Sequence, residues 1–197
     1  MATRHTVAVL DACVLFPFTL RDTLLRAAAD GLYELRWSST ILDEMERNLV
    51  TSGTMTAGKA ARLRAVMERS FPEAPVDASE PLVRRMANHP GDRHVAAAAV
   101  KCKAAIIVTS NLRHFDRLPR GISAVSPDEF LGGLFSGFSV RMREILREQA
   151  ADMGRPPVTF VDLIDRLARV VPTFARMVRD EEGTTGRAAK GDRDRGR

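Results

Sequence analysis

The residues in this sequence best suited to chemistry are three carboxylates and one polar loop. Asp11 directly follows the apolar run Thr6–Leu10 (TVAVL), Glu44 lies within SSTILDEMERNL, Asp92 closes Asn88-His89-Pro90-Gly91, and Thr109-Ser110-Asn111 ends the run AIIVT. Carboxylates held side by side cannot all stay ionised without compensation. A hard divalent cation supplies it. Mg2+ or Mn2+ takes oxygen ligands, keeps waters, and activates one of them against a phosphodiester. Taken singly, each residue has a plainer reading: Asp11 as a turn former, Glu44 as an exposed neighbour of Asp43 and Glu46, Asp92 as a helix N-cap, Asn111 as a turn residue. Their joint placement raises the chemical reading.

That placement depends on the elements that carry them. TVAVL and AIIVT are continuous β-rich runs, as expected of buried parallel strands. Tyr33–Trp37 reads as a short strand and Ile122–Val125 as an edge strand. Helices are expected over Leu20–Ala29, Ile41–Val50 (behind the caps Ser38, Ser39 and Thr40) and Ala57–Ser70. A further helix runs from the Asp92 cap to about Lys103, and its small residues Ala96–Ala99 allow close approach to a sheet. Another covers Asp128–Leu134. Gly132, Gly133 and Gly137 then suggest a boundary, beyond which Val140–Met153, Phe160–Val170 and Thr173–Glu182 read as helices only. Strands alternating with helices, followed by helices alone, give an α/β fold with a helical addition. Open parallel sheets place their sites beyond the carboxyl ends of the strands. Asp11 and Thr109 follow strands, and Asp92 and Glu44 begin helices near the same rim.

The chain has 197 residues, room for one domain and an addition. Its formal charge is +5, from 30 Lys+Arg and 25 Asp+Glu, and only four of the basic residues are Lys. Arg forks suit phosphate, which makes nucleic acid a candidate partner; a preference for Arg codons reads equally well. Residues 183–197 carry five of the basic and two of the acidic residues, so the first 182 are near balance. With no apolar residues but alanine, 183–197 is expected to be an unfolded basic tail. No membrane span and no signal peptide are expected, and Cys13 and Cys102 form no recognised disulfide or zinc pattern. These features predict a cytoplasmic protein.

The segments VLDACVLFPFTLRDTLL, SSTILDEMERNL, GDRHVAAAAV and IIVTSNLRHF, in this order and spacing, resemble the PIN-domain family. They look most like its VapC-type subgroup of toxin ribonucleases with a C-terminal helical extension, and PVTFVDLIDRLARVVPTFARMVRD looks like that extension. The resemblance implies a three-layer α/β/α sandwich around a parallel sheet. It divides the chain into a nuclease domain at 1–137, the helical extension at 138–182 and the tail at 183–197. It further implies an endoribonuclease using Mg2+ or Mn2+, the toxin of a type II toxin–antitoxin pair, with RNA as substrate, an antitoxin as partner and a homodimer as assembly. Two other readings stay open: an RNA-processing nuclease of the same fold that is not a toxin, and a catalytically weak module that binds RNA or protein.

By the same resemblance Asp11, Glu44 and Asp92 are the first three acids and metal ligands, and Asn111 joins the catalytic set. His114 stands where related chains carry Asp in an N-L-x-D-F pattern, which leaves Asp116 as a substitute ligand. Thr109 and Ser110 would orient ligands or water, and Arg21, Arg93 and Arg113 are candidate RNA contacts. His89, His94 and His114 are not spaced as a recognised zinc set. Cys13 has no evident base partner, which favours a small buried residue over a nucleophile. It also occupies the place, two after Asp11, where phosphoaspartate chemistry would need a second Asp.

Overall fold

A computed structural model describes residues 6–154 and 158–194, with side chains described through residue 183. Two compact units divide at Pro127 and Asp128, ten residues before the expected boundary.

In the first unit the apolar run forms β1 (Val7–Leu10), with Ala8, Val9 and Leu10 fully buried. Two helices follow, α1 (Ala12–Leu15) and α2 (Phe18–Ala29), then β2 (Glu34–Arg36). Next come α3 (Ser39–Thr51), α4 (Ala57–Ser70), α5 (Glu80–Arg84) and α6 (Arg93–Cys102). The unit closes with β3 (Ile106–Val108) and β4 (Ser123–Val125). The four strands form one parallel sheet in the order β2-β1-β3-β4, flanked by helices as in an α/β/α sandwich. The chain moves from β1 outward to β2 and later returns to the other side of β1 as β3. The gap beyond the carboxyl ends of β1 and β3 is therefore a topological switch point, where such sheets bind ligands.

Three contacts shape this gap. Leu10 pairs with Val108, and the Asp11 N–H donates to the Val108 carbonyl at 3.1 Å, setting Asp11 beside Thr109. The fully buried Ala96–Ala99 let α6 lie close on β1 and β3. Helix α3 begins at a Ser38 cap, whose hydroxyl accepts from the Ile41 N–H at 3.2 Å, and packs against both α1 and α6.

Two short elements escaped the sequence reading. Helix α1 has four residues and α5 has five, too few for a helical period to show.

The second unit contains α7 (Pro127–Asp152), α8 (Phe160–Ala168) and α9 (Pro172–Asp194). Two helical stretches meet within α7 across a kink at Phe138 (φ −141°, ψ 41°), the residue after Gly137, where the expected helices Asp128–Leu134 and Val140–Met153 are separated. A Cβ at Gly132 would meet Met177 Sδ at an ordinary contact distance of 3.4 Å. Asp128 caps α9, accepting from the Thr173 and Phe174 N–H groups at 3.1 and 2.8 Å. Leu163, Ile164, Leu167, Phe174 and Val178 are buried, and α8 packs on α9. The α9 backbone continues past the expected end at 182 to Asp194. Residues 195–197 and the side chains from 184 onward, where the unfolded tail was expected, lie outside the described residues.

Candidate functional site

Asp11 and Asp92 both sit at helix N-cap positions, before α1 and α6, yet neither side chain makes a capping hydrogen bond. The plainer reading of Asp92 as a structural cap therefore fails.

Asp11 is 3% exposed. Its Oδ2 accepts from Thr109 Oγ1 at 2.7 Å and from Cys13 Sγ at 3.1 Å. Burial raises its pKa above the ordinary carboxylate value. The Thr109 and Cys13 hydrogen bonds work against that rise, and the nearby charge of Asp92 adds to it.

Thr109 is a relay. Its fully buried hydroxyl donates to Asp11 and accepts the Asn111 N–H at 3.0 Å. Asn111 and Ser110 are exposed, and the contacts that tie them to the site come from their backbones. The Ser110 N–H donates to Cys13 Sγ at 3.2 Å. Burial, with the adjacent Asp11 charge, pushes the Cys13 thiol up to about 11, so it stays protonated at neutral pH and is a donor to Asp11 rather than a nucleophile.

Helices α3 and α6 meet at His94, a residue weighed from the sequence only as a member of a zinc set. His94, in the first turn of α6, turns its Nε2 toward Glu44 Oε2 of α3 at 3.5 Å, an ion-pair contact too poorly aligned to be a hydrogen bond. Burial alone would lower its pKa. The contact and charge of Glu44, with the charges of Asp11 and Asp92, outweigh burial and raise it. His94 thus lies within electrostatic reach of all three carboxylates, which favour its charged form. The signal for it was its position two residues after Asp92 in the first turn of the same helix.

The structure separates the remaining candidates. Asp92 Oδ2 lies 2.9 Å from His114 Nδ1 and 3.2 Å from His89 Nδ1. Asp116 is exposed beyond the 3-10 turn Leu112–Phe115 and is not brought into that cluster. Arg113 is exposed on the same turn, and half-buried Arg93 donates from Nε to the Asn88 carbonyl at 3.4 Å. Arg21 is a correction. It is 2% exposed, and its guanidinium donates to the Leu15 and Phe16 carbonyls at 2.7 and 3.3 Å. Those are orphan carbonyls at the end of α1, so Arg21 fixes the helix that opens at Asp11 and cannot reach RNA.

The donor set suits a hard divalent cation. Asp11, Glu44 and Asp92 offer oxygens. Burial is the main reason the Asp11 carboxyl is raised, and the charge of Asp92 adds to it.

A family model described as PIN domain matches residues 6–113, more than half of the chain and every element of this site. The chain belongs to the PIN-domain family. In this PIN domain Asp11 follows β1, Glu44 lies on α3 and Asp92 precedes α6, all three within electrostatic reach of His94. A second model, described as the VapC50 C-terminal domain, matches residues 127–180, close to the limits of the helical unit. A protein of Mycobacterium tuberculosis named "Putative ribonuclease VapC50" is 40% identical over 101 residues, a stretch that spans 50% of this chain and 60% of that protein. No helix among the described residues is long and apolar enough to cross a membrane.

Proposed function

We propose that this PIN domain is an endoribonuclease that requires Mg2+ or Mn2+ and acts as the toxin of a type II toxin–antitoxin pair. The observation that carries this reading is the convergence of Asp11, Glu44 and Asp92 on His94 at the switch point of the sheet. The relative named as a ribonuclease supports the RNA substrate and the pairing with an antitoxin.

Asp11, Glu44 and Asp92 are the residues that would hold the metal. When bound, the metal polarises the scissile phosphate and makes a water nucleophilic near neutral pH. The protein's part is positional. Thr109 and Cys13 fix the Asp11 carboxylate in one rotamer, Asn111 holds Thr109 through its N–H, and Ser110 holds Cys13. His94 offsets part of the negative charge that an incoming phosphate would meet. Arg93 and Arg113 are the candidate phosphate contacts at this rim. A homodimer and cytoplasmic location belong to the same reading.

The resemblance favours a second reading, a module that binds RNA or a protein without cutting: by it, His114 stands where related chains often carry Asp. Expression in a bacterial host separates the two. Wild type is expected to arrest growth, co-expression of the protein encoded immediately upstream is expected to relieve the arrest, and Glu44→Gln is expected to abolish it. Arrest of equal strength from Glu44→Gln would refute the nuclease reading.

A further inference from the structure

We propose that His89, Asp92 and His114 form a binding site for a divalent transition ion of the zinc, cobalt or nickel class, chemically different from the all-oxygen centre of Asp11, Glu44 and Asp92. Among the described residues, these three are the group whose donor atoms all lie within 4.8 Å of one another. His114 Nδ1 and His89 Nδ1 approach the same oxygen, Asp92 Oδ2, at 2.9 and 3.2 Å. Ligands about 2.0–2.1 Å from one ion in a tetrahedral arrangement stand roughly 3.4 Å apart, close to these Nδ1–Oδ2 separations.

The backbone prepares the site. The His89 N–H donates to the His114 carbonyl at 3.0 Å, joining the turn before α6 to the turn after β3. The Asp92 N–H donates to the His89 carbonyl at 2.9 Å. The two imidazoles stack with centroids 4.3 Å apart and planes 19° from parallel, so one ring must turn out of the stack for both Nδ1 lone pairs to reach one ion.

Two imidazoles and one carboxylate favour borderline transition ions over Mg2+, which prefers oxygen and gives up its waters reluctantly. Three protein ligands leave at least one position for water, and the exposed His89 side chain leaves the site open to solvent. His114 is what changes the donor type: an Asp at that position would have made a harder site.

Calorimetric titration of the full chain with Zn2+ tests this, with Co2+ absorption reporting nitrogen ligation. Wild type is expected to bind one Zn2+ here. His89→Ala and His114→Ala are each expected to weaken binding by at least about 10–100-fold, the scale lost with even an outer partner of a metal site. Both are expected to remove the cobalt band, whereas Glu44→Gln keeps the affinity and the band. His89 is exposed, so His89→Ala is expected to melt as wild type does in chelator, and its lost affinity then reports the site. Absence of Zn2+ binding by wild type, unchanged affinity in both His variants, or loss in Glu44→Gln alone would each overturn the proposal.

Discussion

Asp11→Asn is expected to lower RNA cleavage by at least about 100–1000-fold, the scale on which loss of one charge-stabilising group acts. It should do so without lowering the stability of the metal-free protein. The first expectation follows from charge. Asn occupies the same volume and can keep the Thr109 hydrogen bond through its amide oxygen, but it brings no anion to the metal. The second follows from burial. Burial raises the Asp11 pKa above the ordinary carboxylate value, so the native state holds the proton more tightly than the unfolded chain does. Stability is therefore lost as pH rises from the unfolded value through the raised native one. Asn carries no such cost. Thermal melting in chelator should place the variant at or above wild type, and cleavage should be lost in the same preparation. A variant that melts like wild type and cuts RNA equally well would exclude Asp11 from the chemistry.

Thr109→Val should give the opposite pairing, with stability and activity falling together. The hydroxyl is fully buried and makes two bonds at once, to Asp11 Oδ2 at 2.7 Å and from the Asn111 N–H at 3.0 Å. Valine keeps the shape and leaves both partners unmet, a loss of about 1–3 kcal/mol. Asp11 then loses the donor that fixes its rotamer. Cleavage should drop about 10–100-fold, as for other residues that orient a ligand without touching substrate. Thr109→Ser restores the hydroxyl and should recover most of both. Denaturant unfolding beside a cleavage assay reads the two effects. Full activity in Thr109→Val would show that the relay does not position Asp11.

Much of this arrangement was legible in the residues. β1 and β3 were visible as buried apolar runs, and Asp11 and Thr109 were visible as the polar residues that end them. The alanines of α6 announced close packing on the sheet, and Ser38 announced the start of α3. What stayed hidden depends on distance in three dimensions. His94 reads as an ordinary helix residue until α3 brings Glu44 against it. His89 and His114 are 25 positions apart in sequence, and their shared oxygen appears only once one backbone hydrogen bond joins their turns. Arg21 looked like a phosphate contact because charge suggests the surface; the four-residue helix α1 leaves carbonyls that bury it instead. The glycines of α7 announced a break, and the kink at Phe138 follows Gly137 directly.

Cleavage of RNA by the purified chain, followed while divalent metal is added to protein stripped with a chelator, tests the central claim most directly. The carboxylate centre predicts no cleavage in chelator, recovery with Mg2+ or Mn2+, and no recovery in Asp11→Asn at any metal concentration. Cleavage that persists in chelator at the metal-loaded rate, or that Asp11→Asn recovers equally, would contradict it.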